Sequence, residues 1–213
     1  TMTDDMDNPI FTMAPVELKL HEDPLTAEAL RWADVVLCDG GRTLDRIQVG
    51  LLRDYVEAGG GLLLVADQNV EAPLWNDLLG QARLLPAQLA EFRNEQGGGP
   101  QYRTLDRGNF PDPALRAFEA YQEDGDLSNA IFYAWWQVDD VAPDARALAV
   151  YDSGEPFALA AGRSFGRVVL LTAGLNGWWN NLIVREFYVP LVYRLISEVA
   201  GGGIYPRRVG LND

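Results

Sequence analysis

The apolar positions of this chain change period in a way that alternates strands with helices. Across residues 43–61, TLDRIQVGLLRDYVEAGGG, the residues Leu44, Ile47, Leu51, Leu52, Tyr55 and Val56 recur at spacings of three and four. That is the period of a helix with one buried face, with Thr43 as its N-cap and Gly59, Gly60 and Gly61 as its stop. On either side lie short unbroken apolar runs, residues 35–38 (VVLC) and 62–66 (LLLVA). Bounded by turn residues, such runs predict strands buried on both faces. Strand, helix and strand in so short a stretch make a βαβ unit, whose strands are parallel.

The pattern extends in both directions. Residues 9–20 alternate loosely and predict a first strand, followed by a short helix capped by Asp23 or Thr26 and ending near Trp32. A short helix is expected around residues 73–79, and PDPALRAFEAY (111–121) predicts another with proline near its start. Residues 94–109 are rich in Gly, Gln, Asn and Arg and predict an exposed loop. The runs IFYAWWQVDD, ALAVYDSG and PFALAAGRSFGRVVLLTAG predict three or four strands, the last folded into a hairpin at Ser164, Phe165 and Gly166. The closing stretch 183–203 predicts a helix that Pro190 either kinks or begins. The expected organisation is an N-terminal segment (1–32), one α/β domain (33–200) and a tail (201–213). The expected fold is an open, mostly parallel sheet with helices on both faces and an antiparallel hairpin toward the C-terminus.

Composition narrows what such a domain can do. At 48% apolar the chain can bury a substantial core. Asp and Glu number 31 against 17 Lys and Arg, a net charge of −14. A surface of that sign repels phosphate backbones and anionic headgroups, so nucleic acid is not an expected partner. No apolar run reaches the roughly 18 residues of a membrane span, so direct membrane insertion is not expected of this chain. The single cysteine, Cys38, and the single histidine, His21, leave no pair for a disulfide, a cysteine-based zinc site or a multi-histidine metal site. With no calcium-loop pattern either, no cofactor is expected.

Ligands of open parallel sheets bind beyond the carboxyl ends of the strands. Three such ends are legible: Cys38-Asp39-Gly40, Asp67-Gln68-Asn69, and the stretch 173–181 containing Asn176 and Trp178. Cys38 beside a glycine pair has the setting of a nucleophile, but a catalytic thiol needs a base and an orienting acid. Nothing in the sequence brings His21 to it, so Cys38 reads as a small apolar residue at a strand end. Asp39 and Asp67 on neighbouring strand tips have the chemistry of an acid–base or metal-binding pair, and equally that of turn caps. Gly59-Gly60-Gly61 follows a helix and precedes a strand, the reverse of a phosphate loop. The paired tryptophans Trp135-Trp136 and Trp178-Trp179 are candidate surface aromatics for carbohydrate or protein contacts.

The segment ADVVLCDGGRTLDRIQVGLLRDYVEAGGGLLLVADQN, together with LLPAQL (84–89), DPALRAF (112–118) and GEPFALAAGRSFGRVVLLTAGLNGWWNNLIVREFYVPLVYRLI (154–196), resembles the class I glutamine amidotransferase-like domains of bacterial membrane-anchored proteins of the aerotolerance (Bat-type) family. The resemblance implies a flavodoxin-like sheet. It also implies that the chain is a portion of a larger protein, outside the cytoplasm, whose partners are neighbouring domains or other proteins. Active amidotransferases carry a cysteine at the bend after the strand matching LLLVA, with a histidine and a glutamate later. Here that bend reads Asp67-Gln68-Asn69 and no histidine follows it. The expectation is a non-catalytic binding domain. The competing expectations are a metal-dependent hydrolase using Asp39 and Asp67, and a carbohydrate-binding module using the tryptophans.

Overall fold

A computed structural model describes residues 17, 25–40, 44–94, 102–106, 110, 112–116, 118 and 126–201. The expected first strand at 9–20 (residue 17 apart), His21, Asp23, Thr43 and the tail 202–213 lie outside these residues.

The chain forms a mixed α/β sheet of five strands in the order β1-β2-β9-β8-β7. Here β1 is Val35–Asp39, β2 Gly61–Val65, β7 Arg146–Val150, β8 Pro156–Arg163 and β9 Gly166–Leu171. Strands β1, β2 and β9 run parallel, and β8 and β7 continue the sheet antiparallel. Strand β2 is buried at every position because it lies between two strands and under helices on both faces. Its side chains alternate between two cores. Leu62 and Leu64 join Val168 and Leu170 of β9 beneath α2 (Arg46–Glu57) and α3 (Ala72–Gln81). Leu63 and Val65 join Val169 and Leu171 beneath α5 (Tyr188–Val199) and a group of aromatic residues.

The βαβ unit is present, with two corrections to its sequence reading. Helix α2 begins at Arg46 under the cap of Asp45, not Thr43. The Asp45 carboxylate accepts from the Gln48 amide at 2.8 Å, and the Gln48 side chain accepts from the Asp45 amide at 3.0 Å. This reciprocal capping box satisfies two otherwise unpaired donors and outcompetes a cap two residues earlier. The buried face runs through Val49, Leu52 and Val56, while Ile47 is 77% exposed. The glycine stop is as expected. Gly59 takes φ 107°, its amide bonds the Val56 carbonyl, and the Gly60 amide bonds the Tyr55 carbonyl. These two bonds close a Schellman motif, which favours glycine at the left-handed position.

Tyr55 ties this stop to the sheet. Its hydroxyl lies 3.3 Å from the carbonyl oxygens of both Ala33 and Gly61, and its ring fills the space where a Gly60 side chain would stand. Burial pushes the Tyr55 phenol above its ordinary value of 10.0, and the buried Tyr151 is shifted the same way. In the unfolded chain both phenols ionise near pH 10, whereas the folded state keeps them protonated. Above that pH the unfolded state binds fewer protons, so stability is retained below about pH 10 and lost as pH rises beyond it. Urea midpoints measured from pH 8 to 11 are expected to fall in the upper part of the range, and less steeply in Tyr55→Phe. A flat profile to pH 11 would contradict the buried phenols.

The flanking elements hold the strand ends. Helix α1 (Ala27–Arg31) is capped by Thr26 and ends at Trp32, as expected. Helix α3 leads into a strand the sequence pattern does not announce, β3 (Gln88–Asn94), paired antiparallel with β6 (Ala134–Asp139). The Asn76 side chain both accepts from the Leu89 amide at 2.9 Å and donates to the Leu89 carbonyl at 2.8 Å, as a neighbouring strand would. Part of the expected 94–109 loop is also ordered into the fold. Arg103–Thr104 (β4) pairs with Ile131–Phe132 (β5), and Leu105 is buried. Helix α4 is one turn, Pro113–Arg116. Ser164 and Phe165 form the two-residue turn between β8 and β9, with Ser164 at φ 53°. Pro190 is the third residue of α5, within the first turn, where a missing N–H breaks no intrahelical bond.

Candidate functional site

The three parallel strands end side by side, and of the residues expected at their tips Gly40, Asp67 and Asn69 are engaged in holding them. The Gly40 amide donates to the Val65 carbonyl at 2.9 Å, and the Ala66 amide to the Leu171 carbonyl at 2.9 Å. Gly40 is pressed against the next tip. A Cβ there would stand 2.3 Å from Val70 Cγ2 and 2.8 Å from Asp67 Oδ1, closer than such atoms approach. Asp67 is buried, and its carboxylate accepts from the Asn69 amide at 2.7 Å and from the Asn69 side chain at 3.1 Å. That is the turn-capping use of an aspartate, with the carboxylate satisfied by its own loop. Gln68 and Asn69 are exposed, and so is Asp39. The two strand-tip carboxylates therefore lie in unlike surroundings, one buried in its turn and one at the surface. Among the described residues no group of three or more His, Cys, Asp or Glu side chains is placed to hold a metal ion. Cys38 is half-buried, with its side chain packed against the α2–α3 core.

Aromatic residues close over these tips. The Trp136 indole N–H donates to the Asp67 carbonyl at 3.1 Å, and the Trp136 amide donates to the Thr172 carbonyl at 2.7 Å. Phe92 stands between Trp136 and Trp179, with ring centroids 5.1 and 4.8 Å away. Trp136, expected as a surface aromatic, is a half-buried bridge from β6 to the tips of β2 and β9. Trp135 and Trp179, each 4% exposed, are core residues rather than surface ones. Trp135 packs on Tyr151, and the Arg103 guanidinium lies over the Trp135 ring, 5.5 Å from its centroid. Alternation along β6 explains the first pair, because neighbouring side chains point to opposite faces and both faces are covered here. Phe92 had no sequence signal, because β3 itself had none.

Trp178 alone of the four paired tryptophans is on the surface, 80% exposed. Its loop is well anchored. Asn176 Oδ1 accepts from the Trp178 amide at 3.1 Å, and Asn180 Oδ1 accepts from the Leu182 amide at 3.1 Å. The buried Asn180 also donates to the Gly174 carbonyl at 2.6 Å, and the Tyr188 hydroxyl donates to the Leu175 carbonyl at 3.2 Å. Asn181 exchanges bonds with Ile131, its side chain accepting from the Ile131 amide at 2.8 Å. Further along the same stretch Ile183, Val184 and Val189 are exposed as well. Asn176, expected as a pocket residue, supports the Trp178 backbone through its side chain. Asn180 and Asn181, which carry most of the anchoring, were not singled out from the sequence. Buried asparagines are legible only once the carbonyls they serve are in place.

No protein-family model and no curated protein matches the chain. Solved structures share its fold. The cytoplasmic protein STM3548 from Salmonella typhimurium is similar at a TM-score of 0.64 and 16% identity, over 83% of this chain and 76% of that one. The N-terminal domain of mmIFT52 is similar at 0.59 and 13% identity, over 86% of this chain and 84% of that one. A β-galactosidase from Rahnella sp. R3 is similar at 0.50 and 14% identity, over 78% of this chain but 22% of the much longer enzyme. At these identities the likeness defines the fold alone. Among the described residues no helix is long and apolar enough to cross a membrane.

Proposed function

We propose that this chain is a non-catalytic binding domain of the flavodoxin-like, glutamine amidotransferase-like kind. It forms part of a larger, membrane-anchored bacterial protein and docks to neighbouring domains or other proteins on the extracytoplasmic side. The observation that carries this reading is the bend after β2. Its one ionisable group, Asp67, is consumed by its own turn, and its backbone carbonyl is taken by Trp136. A nucleophile or general base has to reach a substrate, and this carboxylate faces inward. Cys38, one strand away, directs its side chain into the core. The fold also occurs as a minor part of a longer polypeptide, the Rahnella β-galactosidase, which accords with a domain that works inside a larger protein.

Two assays test this. Incubated with glutamine, or with a phosphate ester and Mg²⁺, the chain is expected to release neither ammonia nor phosphate. Asp67→Ala is expected to lower stability by about 1–2 kcal/mol, the cost of a lost turn cap. Turnover abolished by Asp67→Ala or Asp39→Ala in a folded variant would overturn the reading in favour of the hydrolase.

A further inference from the structure

The stretch from Trp178 to Val189 exposes four apolar side chains that the core of the fold does not use. Trp178 is 80% and Val184 76% exposed, and Ile183 and Val189 are more than half exposed. Ile183 packs back against Gly177, the residue before Trp178, its Cγ2 lying 3.3 Å from where a Gly177 Cβ would stand. Single exposed apolar residues are ordinary, whereas four in twelve residues on a loop pinned by Asn176, Asn180 and Asn181 are not. A rigid aromatic anchor on a fixed loop gives up little entropy on binding, which is the property of interface hot spots.

Charge selects the occupant. Between Gly174 and Val192 the only charged residues are the adjacent Arg185 and Glu186, so this stretch is locally neutral. The chain as a whole carries a net charge of −14. A second copy would bring the same charge against it, and an anionic membrane or a nucleic acid would be repelled likewise. A polypeptide with an apolar centre and a basic rim is attracted from a distance and loses no charge pairing on contact.

We propose that the Trp178–Ile183–Val184–Val189 ridge is the docking surface of this domain for a basic protein segment with an apolar face. This rests on the non-catalytic reading above and specifies its partner. The test uses the 213-residue chain and a synthetic amphipathic helix of Lys and Leu, with a Glu and Leu counterpart, read by titration calorimetry. The basic peptide is expected to bind, and Trp178→Ala or Val184→Asp to weaken it at least about tenfold. Phe165→Ala is expected to leave binding unchanged. Phe165 is as exposed as Trp178, at 84%, but sits at the turn before β9, at the opposite end of that strand. The proposal is overturned if Phe165→Ala and Trp178→Ala weaken binding equally, or if neither does. It is also overturned if the acidic peptide or phosphatidylcholine vesicles bind as tightly, or if sedimentation shows a dimer that Trp178→Ala dissolves. Absence of peptide binding removes the ridge and leaves the non-catalytic reading intact, whereas enzymatic turnover removes that reading whatever the peptide does.

Discussion

Gly166→Ala is expected to be the most damaging methyl group that can be added to this protein. A Cβ at Gly166 would stand 2.1 Å from the Val56 carbonyl oxygen and 2.4 Å from that of Gly60. Both are backbone atoms of the turn that ends α2, so no side chain can rotate away. The Val56 carbonyl is already committed to the Gly59 amide in the Schellman motif. Relief requires α2 to retreat from β9, which opens the core where Val56 and Leu52 meet Val168 and Leu170. Overpacking costs typically about 1–3 kcal/mol, and here the obstruction is rigid, so a loss of about 3 kcal/mol or more is expected. In a chain of this length that lowers Tm by roughly 6–12 °C. Gly50→Ala is the control, because Gly50 lies mid-helix in α2 with nothing within 4 Å of the added atom. It is expected to stabilise by about 0.5–1 kcal/mol. Thermal melts in which Gly166→Ala stays within a degree of the parent would refute the packing described for this corner.

Arg146→Met is expected to have the next largest effect. Arg146, on β7, pairs with both Asp112, which caps α4, and Glu198, near the end of α5. Glu198 also receives Arg167 of β9, whose guanidinium lies 3.5 Å from the carboxylate and donates to the Glu198 carbonyl at 3.2 Å. The two carboxylates are buried, while Arg146 itself is about half exposed. Removing the arginine leaves Asp112 without this countercharge and Glu198 with only the more distant one. Breaking a buried ion pair from one side costs about 3–5 kcal/mol. Partial exposure of Arg146 places the expectation near about 2–3 kcal/mol, and urea midpoints measure it. The double variant Arg146→Met with Glu198→Met should lose less than the sum of the two single variants, since the pair is removed together. Strict additivity would show that the network does not couple α5 to the sheet.

The parts of the fold legible in the sequence are those fixed by local periodicity. The helix α2, its glycine stop, the strands β1, β2, β8 and β9 and the β8–β9 turn follow from apolar spacing and from residues with restricted backbone choices. The misreadings have a common cause. Ile47 and Val49 are both apolar, and periodicity alone did not say which of them faces the sheet, because the true cap at Asp45 sets where the helix begins. Strand β3 contains Gln88, Ala90 and Glu91, poor strand formers that are held extended by β6 and by the Asn76 clamp.

The candidate site divides the same way. From the sequence alone came the absence of a thiol at the bend after LLLVA and of any later imidazole, together with the acidic charge. These are matters of residue identity and need no coordinates. Only the tertiary structure decided that Asp67 spends its carboxylate on its own turn, that Trp136 covers it, and that Trp178 alone among the paired tryptophans faces outward. The Asp67 turn is local, closed by Asn69 two residues on, whereas its cover by Trp136 joins segments 69 residues apart. Side-chain spacing within one segment carries no information about what another segment will place over it.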